Sequence, residues 1–150
     1  MINTIIEAIS TALDKTFGEG YEIYMEEIKQ GLQEPCFFIQ CLHPTTSLFL
    51  GKRYFKENPF CIQYFPLTEK KQRECYEVAE QMIGCLERIF IKKGCYRGTN
   101  IYYEIIDGVL NFFVNYNFFV SRIEMETPME QIESQIGAKE GKEIENEKNY

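Results

Sequence analysis

Residues 101–119 read Ile-Tyr-Tyr-Glu-Ile-Ile-Asp-Gly-Val-Leu-Asn-Phe-Phe-Val-Asn-Tyr-Asn-Phe-Phe, two aromatic and β-branched runs divided by Asp107-Gly108. An Asp-Gly pair between such runs sets the two-residue type I′ turn that right-twisted strands require, so the stretch predicts a β-hairpin. That loop pairs Ile105 with Leu110, Tyr103 with Phe112 and Ile101 with Val114, all on one face, which is assigned to the core. The other face carries Glu104, Asn111, Asn115 and Asn117, but also Tyr102, Ile106, Phe113 and Phe119. It is more apolar than a freely solvated sheet face, which predicts that something covers part of it.

Upstream of the hairpin the hydrophobic period changes. Cys75, Val78, Ala79, Met82, Leu86, Ile89 and Phe90 form a helical stripe in the segment that starts at Thr68. The stripe predicts one long helix of roughly 33 Å as the main cover of the sheet. Earlier still, Tyr21 to Glu27, Cys36 to Leu42, Ser47 to Lys56 and Phe60 to Phe65 read as four strands, with a turn at Glu57-Asn58-Pro59. Four consecutive strands predict an antiparallel meander. At the start of the chain, Ile5, Ile6, Ile9, Ala12 and Leu13 recur at helical spacing, with Asn3 as N-cap and Gly18-Glu19-Gly20 as the stop. The reading is an α+β fold of about six strands in the order α-β-β-β-β-α-β-β, mainly antiparallel and packed against two helices.

The composition narrows the function. A chain of 150 residues with 45% hydrophobic residues fits one globular core, with no disulfide or metal needed to hold it. No apolar run approaches the roughly 18 residues of a membrane span, and the first ten residues lack the pattern of a secretory signal, so neither a membrane partner nor secretion is expected. The formal charge of -7, from 16 Lys+Arg against 23 Asp+Glu, opposes nonspecific binding to a phosphate backbone. Cysteines at 36, 41, 61, 75, 85 and 95 are therefore read as reduced, small apolar side chains. They lack the Cys-x-x-Cys or Cys/His spacing of a zinc site, and no metal is expected.

Catalysis finds few candidates. The single histidine, His43, stands beside Pro44 in a turn signal two residues after Cys41, and a Ser/His/Asp or Cys/His site would have to use it. Gly18-Glu19-Gly20 follows a helix and lacks the later glycine of a dinucleotide loop. No catalytic residue and no cofactor is assigned. Lys52, Arg53 and Lys56, interleaved with Tyr54 and Phe55, form one local basic cluster, read as a charge-guarded strand edge and a candidate interaction site.

The last segment differs. Residues 125–150 hold seven glutamates and three lysines, a charge of 3 - 7 = -4, so residues 1–124 form the domain and 125–150 an acidic tail. Within the tail, Thr127-Pro128-Met129-Glu130 is a capping-box pattern, and Met129, Ile132 and Ile136 make a stripe that stops at Gly137. A short amphipathic helix near 128–136 is encoded, too short to stand without docking.

Several stretches together resemble the tail terminator (tail completion) family of tailed phages, in particular of phages, prophages and phage-tail-like bacteriocin particles of Gram-positive bacteria. They are Glu34-Pro35-Cys36-Phe37-Phe38-Ile39, Gly51-Lys52-Arg53-Tyr54-Phe55, Asn58-Pro59-Phe60-Cys61-Ile62-Gln63-Tyr64-Phe65-Pro66 and Asp107-Gly108-Val109-Leu110-Asn111-Phe112. The resemblance covers about residues 1–124. It implies a structural, non-enzymatic protein assembled in the bacterial host cytoplasm into the tail. There a homo-hexameric ring caps the tail tube protein, ends its polymerisation and offers a surface to a sheath, connector or collar protein. On that reading Tyr102 and Phe113 are contact residues, with Lys52, Arg53, Lys56, Met129, Ile132 and Ile136 as further candidates. Two other classes stay open: a small cytosolic α+β module binding a ligand or protein, and a hydrolase using Cys41 and His43.

Overall fold

A computed structural model describes residues 1–27 and 30–121. Two helices and ten strands are present among them: α1 (Ile2–Phe17), β1 (Glu22–Tyr24), β2 (Cys36–Cys41), β3 (Thr45–Leu50), β4 (Arg53–Glu57), β5 (Pro59–Phe65), α2 (Lys71–Leu86), β6 (Arg88–Ile91), β7 (Gly94–Arg97), β8 (Thr99–Ile106), β9 (Val109–Asn115) and β10 (Phe118–Ser121). The α+β class stands. The expected helix near 128–136 lies outside the described residues.

The hairpin that decides the fold forms as its turn chemistry requires. Asp107 and Gly108 both take positive φ, 53° and 76°, the pair of left-handed residues a type I′ turn needs. Tyr103 pairs with Phe112 and Ile105 with Leu110, while Ile101 falls in a register shift between Thr99 and Tyr102. Asn100, at φ 53°, provides the extra residue, and a bulge of this kind bends an edge strand. The strands enter a five-stranded sheet in the order β1-β2-β5-β9-β8.

The core lies on one side of that sheet. Ile5, Ile9 and Leu13 of α1 and Cys75, Val78, Ala79, Met82 and Leu86 of α2 are buried against Phe37, Ile39, Phe60, Ile62, Tyr64, Leu110, Phe112 and Val114. Each strand contributes alternate residues and each helix one stripe, the two periods by which sheet and helix share an apolar layer. The C-terminal end of α2 is closed by Tyr116, whose hydroxyl donates to the carbonyl of Leu86 at 2.6 Å. At its other end the Glu74 carboxylate accepts from the Leu67 and Thr68 amides at 3.0 and 2.9 Å, and from the hydroxyls of Thr68 and Tyr64. Burial raises the carboxyl's pKa, but these four donors outweigh it and hold the pKa below the ordinary glutamate value.

Five local expectations are corrected. The four early strands are not a meander, because β1 pairs parallel to β2, and β2 pairs antiparallel to β5 across an excursion that contains β3 and β4. Ser47 to Lys56 is not one strand: β3 and β4 pair antiparallel around Gly51-Lys52, with Leu50 opposite Arg53. Gly51 has φ 59° at the first loop position, where a two-residue type II′ turn requires glycine. The second helix ends at Leu86, and Ile89 and Ile91 then point inward at strand spacing while Arg88 and Phe90 point outward. Helix α1 starts at Ile2, so Asn3 lies inside it instead of capping it. Finally, Glu57-Asn58-Pro59 is not a chain reversal, because β4 and β5 both run alongside the β9–β10 stretch.

Candidate assembly surface

The last correction builds the candidate site. Strand β5 pairs with β9 and β4 neighbours β10, so two continuous ribbons, 53–65 and 109–121, leave the core and carry a second, three-stranded sheet in the order β10-β4-β3. Asn58 marks the crossing and is 2% exposed, the one polar side chain buried among the described residues. Its amide nitrogen Nδ2 donates to the Tyr116 carbonyl at 3.0 Å, and its backbone N–H donates to Asn117 Oδ1 at 2.9 Å. The Tyr116 N–H returns a bond to the Asn58 carbonyl at 2.9 Å. Through its backbone N–H and C=O and its side-chain Nδ2, Asn58 ties the arm to the core at a buried position.

On the arm every residue of β3 is exposed, and Leu48, Phe49 and Leu50 are 63%, 58% and 69% exposed. Phe49 occupies a register shift in β3 and packs edge-on against Phe119 with ring centroids 4.9 Å apart. Phe55 lies 4.8 Å from the same ring, and the Arg53 guanidinium sits over it at 4.7 Å. Side chains of a strand alternate between faces, so Arg53 and Phe55 share one face and Lys56 takes the other. There Lys56 Nζ donates to Thr46 Oγ1 at 3.4 Å. The sequence cluster Lys52, Arg53 and Lys56 is thus divided among loop, one face and the opposite face, and does not form one basic patch.

A second apolar surface lies on the side of the five-stranded sheet away from the helices. Tyr102 and Phe113 are cross-strand partners, stacked at 4.6 Å between centroids and 17° between planes. Phe113 is also opposite Cys61, and Cys61 opposite Gln40, giving a row across four strands. The next row runs Glu104, Asn111, Gln63 and Phe38, with Gln63 Nε2 donating to Asn111 Oδ1 at 3.0 Å. Tyr102 and Ile106 are more than half exposed. The structure therefore brings Tyr102 and Phe113 together as expected of facing residues. The exposure of Leu48-Phe49-Leu50 is not visible in the sequence, where Ser47 to Lys56 reads as one long strand. Met129, Ile132 and Ile136 lie outside the described residues.

Cys41 and His43, the residues a nucleophilic site would have to use, lie on β2 and in the connection that follows it. Cys41 is half-buried and its thiol pKa is raised by burial, opposite to the lowered pKa of an activated nucleophile. His43, in the left-handed region at φ 41°, lies in the short connection between β2 and β3. Among the described residues no cluster of three His, Cys, Asp or Glu could hold a metal ion, and no helix is long and apolar enough to cross a membrane.

The family described as phage tail terminator protein matches residues 4–128. No curated protein matches the chain. The chain belongs to the phage tail terminator protein family.

Proposed function

From that membership we propose that the protein is a non-enzymatic cap: six copies form a ring on the last ring of the tail tube, end its growth and present a surface to the next component. A terminator must be two-sided, since a ring that repeated the tube's upper surface would let another tube ring add. The observation that supports this reading is the presence of two separate exposed apolar surfaces in one small chain. One is the arm tip Leu48-Phe49-Leu50, and the other is the Tyr102–Phe113 face. Exposed apolar area of this kind marks protein contacts. The Tyr102–Phe113 face is assigned to a subunit or tube contact, and the arm to a further partner among tube, sheath and connector or collar. Burial of these side chains on assembly would supply stability that a lone copy lacks.

Electron microscopy of assembled tails tests the role. The protein is expected once, as a six-membered ring near one end of the tail, and deletion of its gene is expected to give tails of uncontrolled length. A copy at every tube ring along the shaft, or normal tail lengths without the gene, would overturn it.

A further inference from the structure

A groove of about 250 Å3 separates α1 from β6, lined by Ala8, Ala12, Lys15, Cys85, Arg88 and Phe90. Phe90 is 71% exposed, the most exposed large apolar side chain among the described residues. It is outward-facing because β6 alternates, and Ile89 and Ile91 take the core side. Lys15 and Arg88 are the groove's charged lining residues, and both are positive. A fitting occupant is apolar on one side and acidic on its flank. The arm tip does not qualify, because Lys52 and Arg53 adjoin Leu50 and would bring like charge.

The sequence offers one segment of the required kind. In residues 128–136 Met129, Ile132 and Ile136 fall on one helical stripe, with Glu130 and Glu133 to one side of it. A helix of nine residues is about 13 Å long, and α1 runs about 12 Å from Ala8 to Thr16 along the groove. We infer that the groove between α1 and β6 seats the 128–136 segment of a neighbouring copy, with its apolar stripe on Ala8, Ala12 and Phe90 and its glutamates toward Lys15 and Arg88. The inference rests on the ring reading, and it adds a head-to-tail contact that closes when copies are arranged in a circle.

Cys85 in the groove makes the contact testable. Tails would be assembled from full-length protein carrying Ile132→Cys and Cys95→Ser, imaged, and oxidised with copper phenanthroline. The expected result is covalent species of two to six copies that vanish when Cys85→Ser is added. In the same tails Arg88→Glu should lower the linked fraction about tenfold, and Glu133→Arg in that background should restore it. Rings without a Cys85-dependent link, or a link confined to single copies, would overturn this contact and leave the cap intact. Tails with no ring would overturn the cap and this contact with it.

Discussion

The side-chain amide of Asn58 donates to the backbone carbonyl of Tyr116 at 3.0 Å, at the point where two continuous ribbons pass from the core sheet into the exposed arm. The bond joins residues 58 positions apart and is buried. Tyr116 is itself fixed through its hydroxyl to Leu86 at the end of α2. Helix, sheet and arm are therefore linked through the Asn58–Tyr116 pair, one residue bonding across the crossing and the other reaching the helix end.

Asn58→Ala is expected to remove that contact and strand the Tyr116 carbonyl in an apolar setting, at a cost of about 1–3 kcal/mol. For a chain of this size the melting temperature should fall by roughly 2–10 °C. Thermal denaturation followed by circular dichroism would measure it. An unchanged midpoint would show that the backbone bonds alone hold the crossing.

Much of this fold was legible locally. Asp107-Gly108 predicts its own turn because only residues that tolerate positive φ fit there, and the stripes at Ile5, Ile9 and Leu13 and at Cys75 to Leu86 predict both helices because each buries one face. Long-range choices were less visible. Nothing in Glu22 to Tyr24 states that the strand pairs parallel to β2, and Ile89 satisfies helical spacing from Leu86 as well as alternation with Ile91. Asn58-Pro59 carries a turn composition, yet pairing of both flanks with one partner stretch keeps the chain extended. Tyr102 and Phe113 could be placed on an outward face by register, whereas the exposure of Leu48 to Leu50 depends on a strand reversal at Gly51 that composition does not force.

Glu74 is expected to make stability depend on pH. Its folded pKa lies below the ordinary value because donors from Tyr64, Thr68 and Leu67 outweigh the cost of its burial, so the carboxylate stabilises the fold above the unfolded pKa. That stabilisation is lost as pH falls through the lowered folded value. Glu74→Gln leaves one acceptor oxygen for donors now shared between two, and should cost on the order of 1 kcal/mol at neutral pH. Urea denaturation of both proteins from neutral to acid pH should show the gap closing at the acid end. A gap constant with pH would mean that the side chain acts by shape alone.

The six thiols are expected to react unequally. Cys95 is exposed, whereas Cys36 and Cys61 are buried with pKa values pushed up to about 11, chiefly by burial. Thiolate is the reacting form, so at pH 8 Cys95 should react with a chromogenic disulfide at least ~10-fold faster than those two. Cys95→Ser should remove the fast phase, and full denaturant should release all six thiols together. A fast phase that survived Cys95→Ser but vanished on replacing the half-buried Cys41 or Cys85 would place it at those thiols, and one that survived their replacement too would show that the buried core opens readily.

Tyr102 and Phe113 provide the test of the outward sheet face as an assembly contact. The rings stack on one another across β8 and β9, and Tyr102 is 57% exposed, so a carboxylate placed there remains hydrated in a lone copy. Tyr102→Asp should therefore leave the fold intact, losing at most the ~0.5–1.5 kcal/mol of an aromatic pair. Once the face is closed by a neighbour, the same carboxylate is unpaired in an apolar interface, where the cost is about 3–5 kcal/mol. The subunit should melt within a few degrees of the wild type and yet fail to join tails, and Phe113→Asp should behave in the same way. Circular dichroism and sedimentation of tail preparations read the two halves separately. A folded Tyr102→Asp protein that sediments with tails at wild-type occupancy would move the contact away from this face and leave the Leu48 to Leu50 arm as the surface to dissect next.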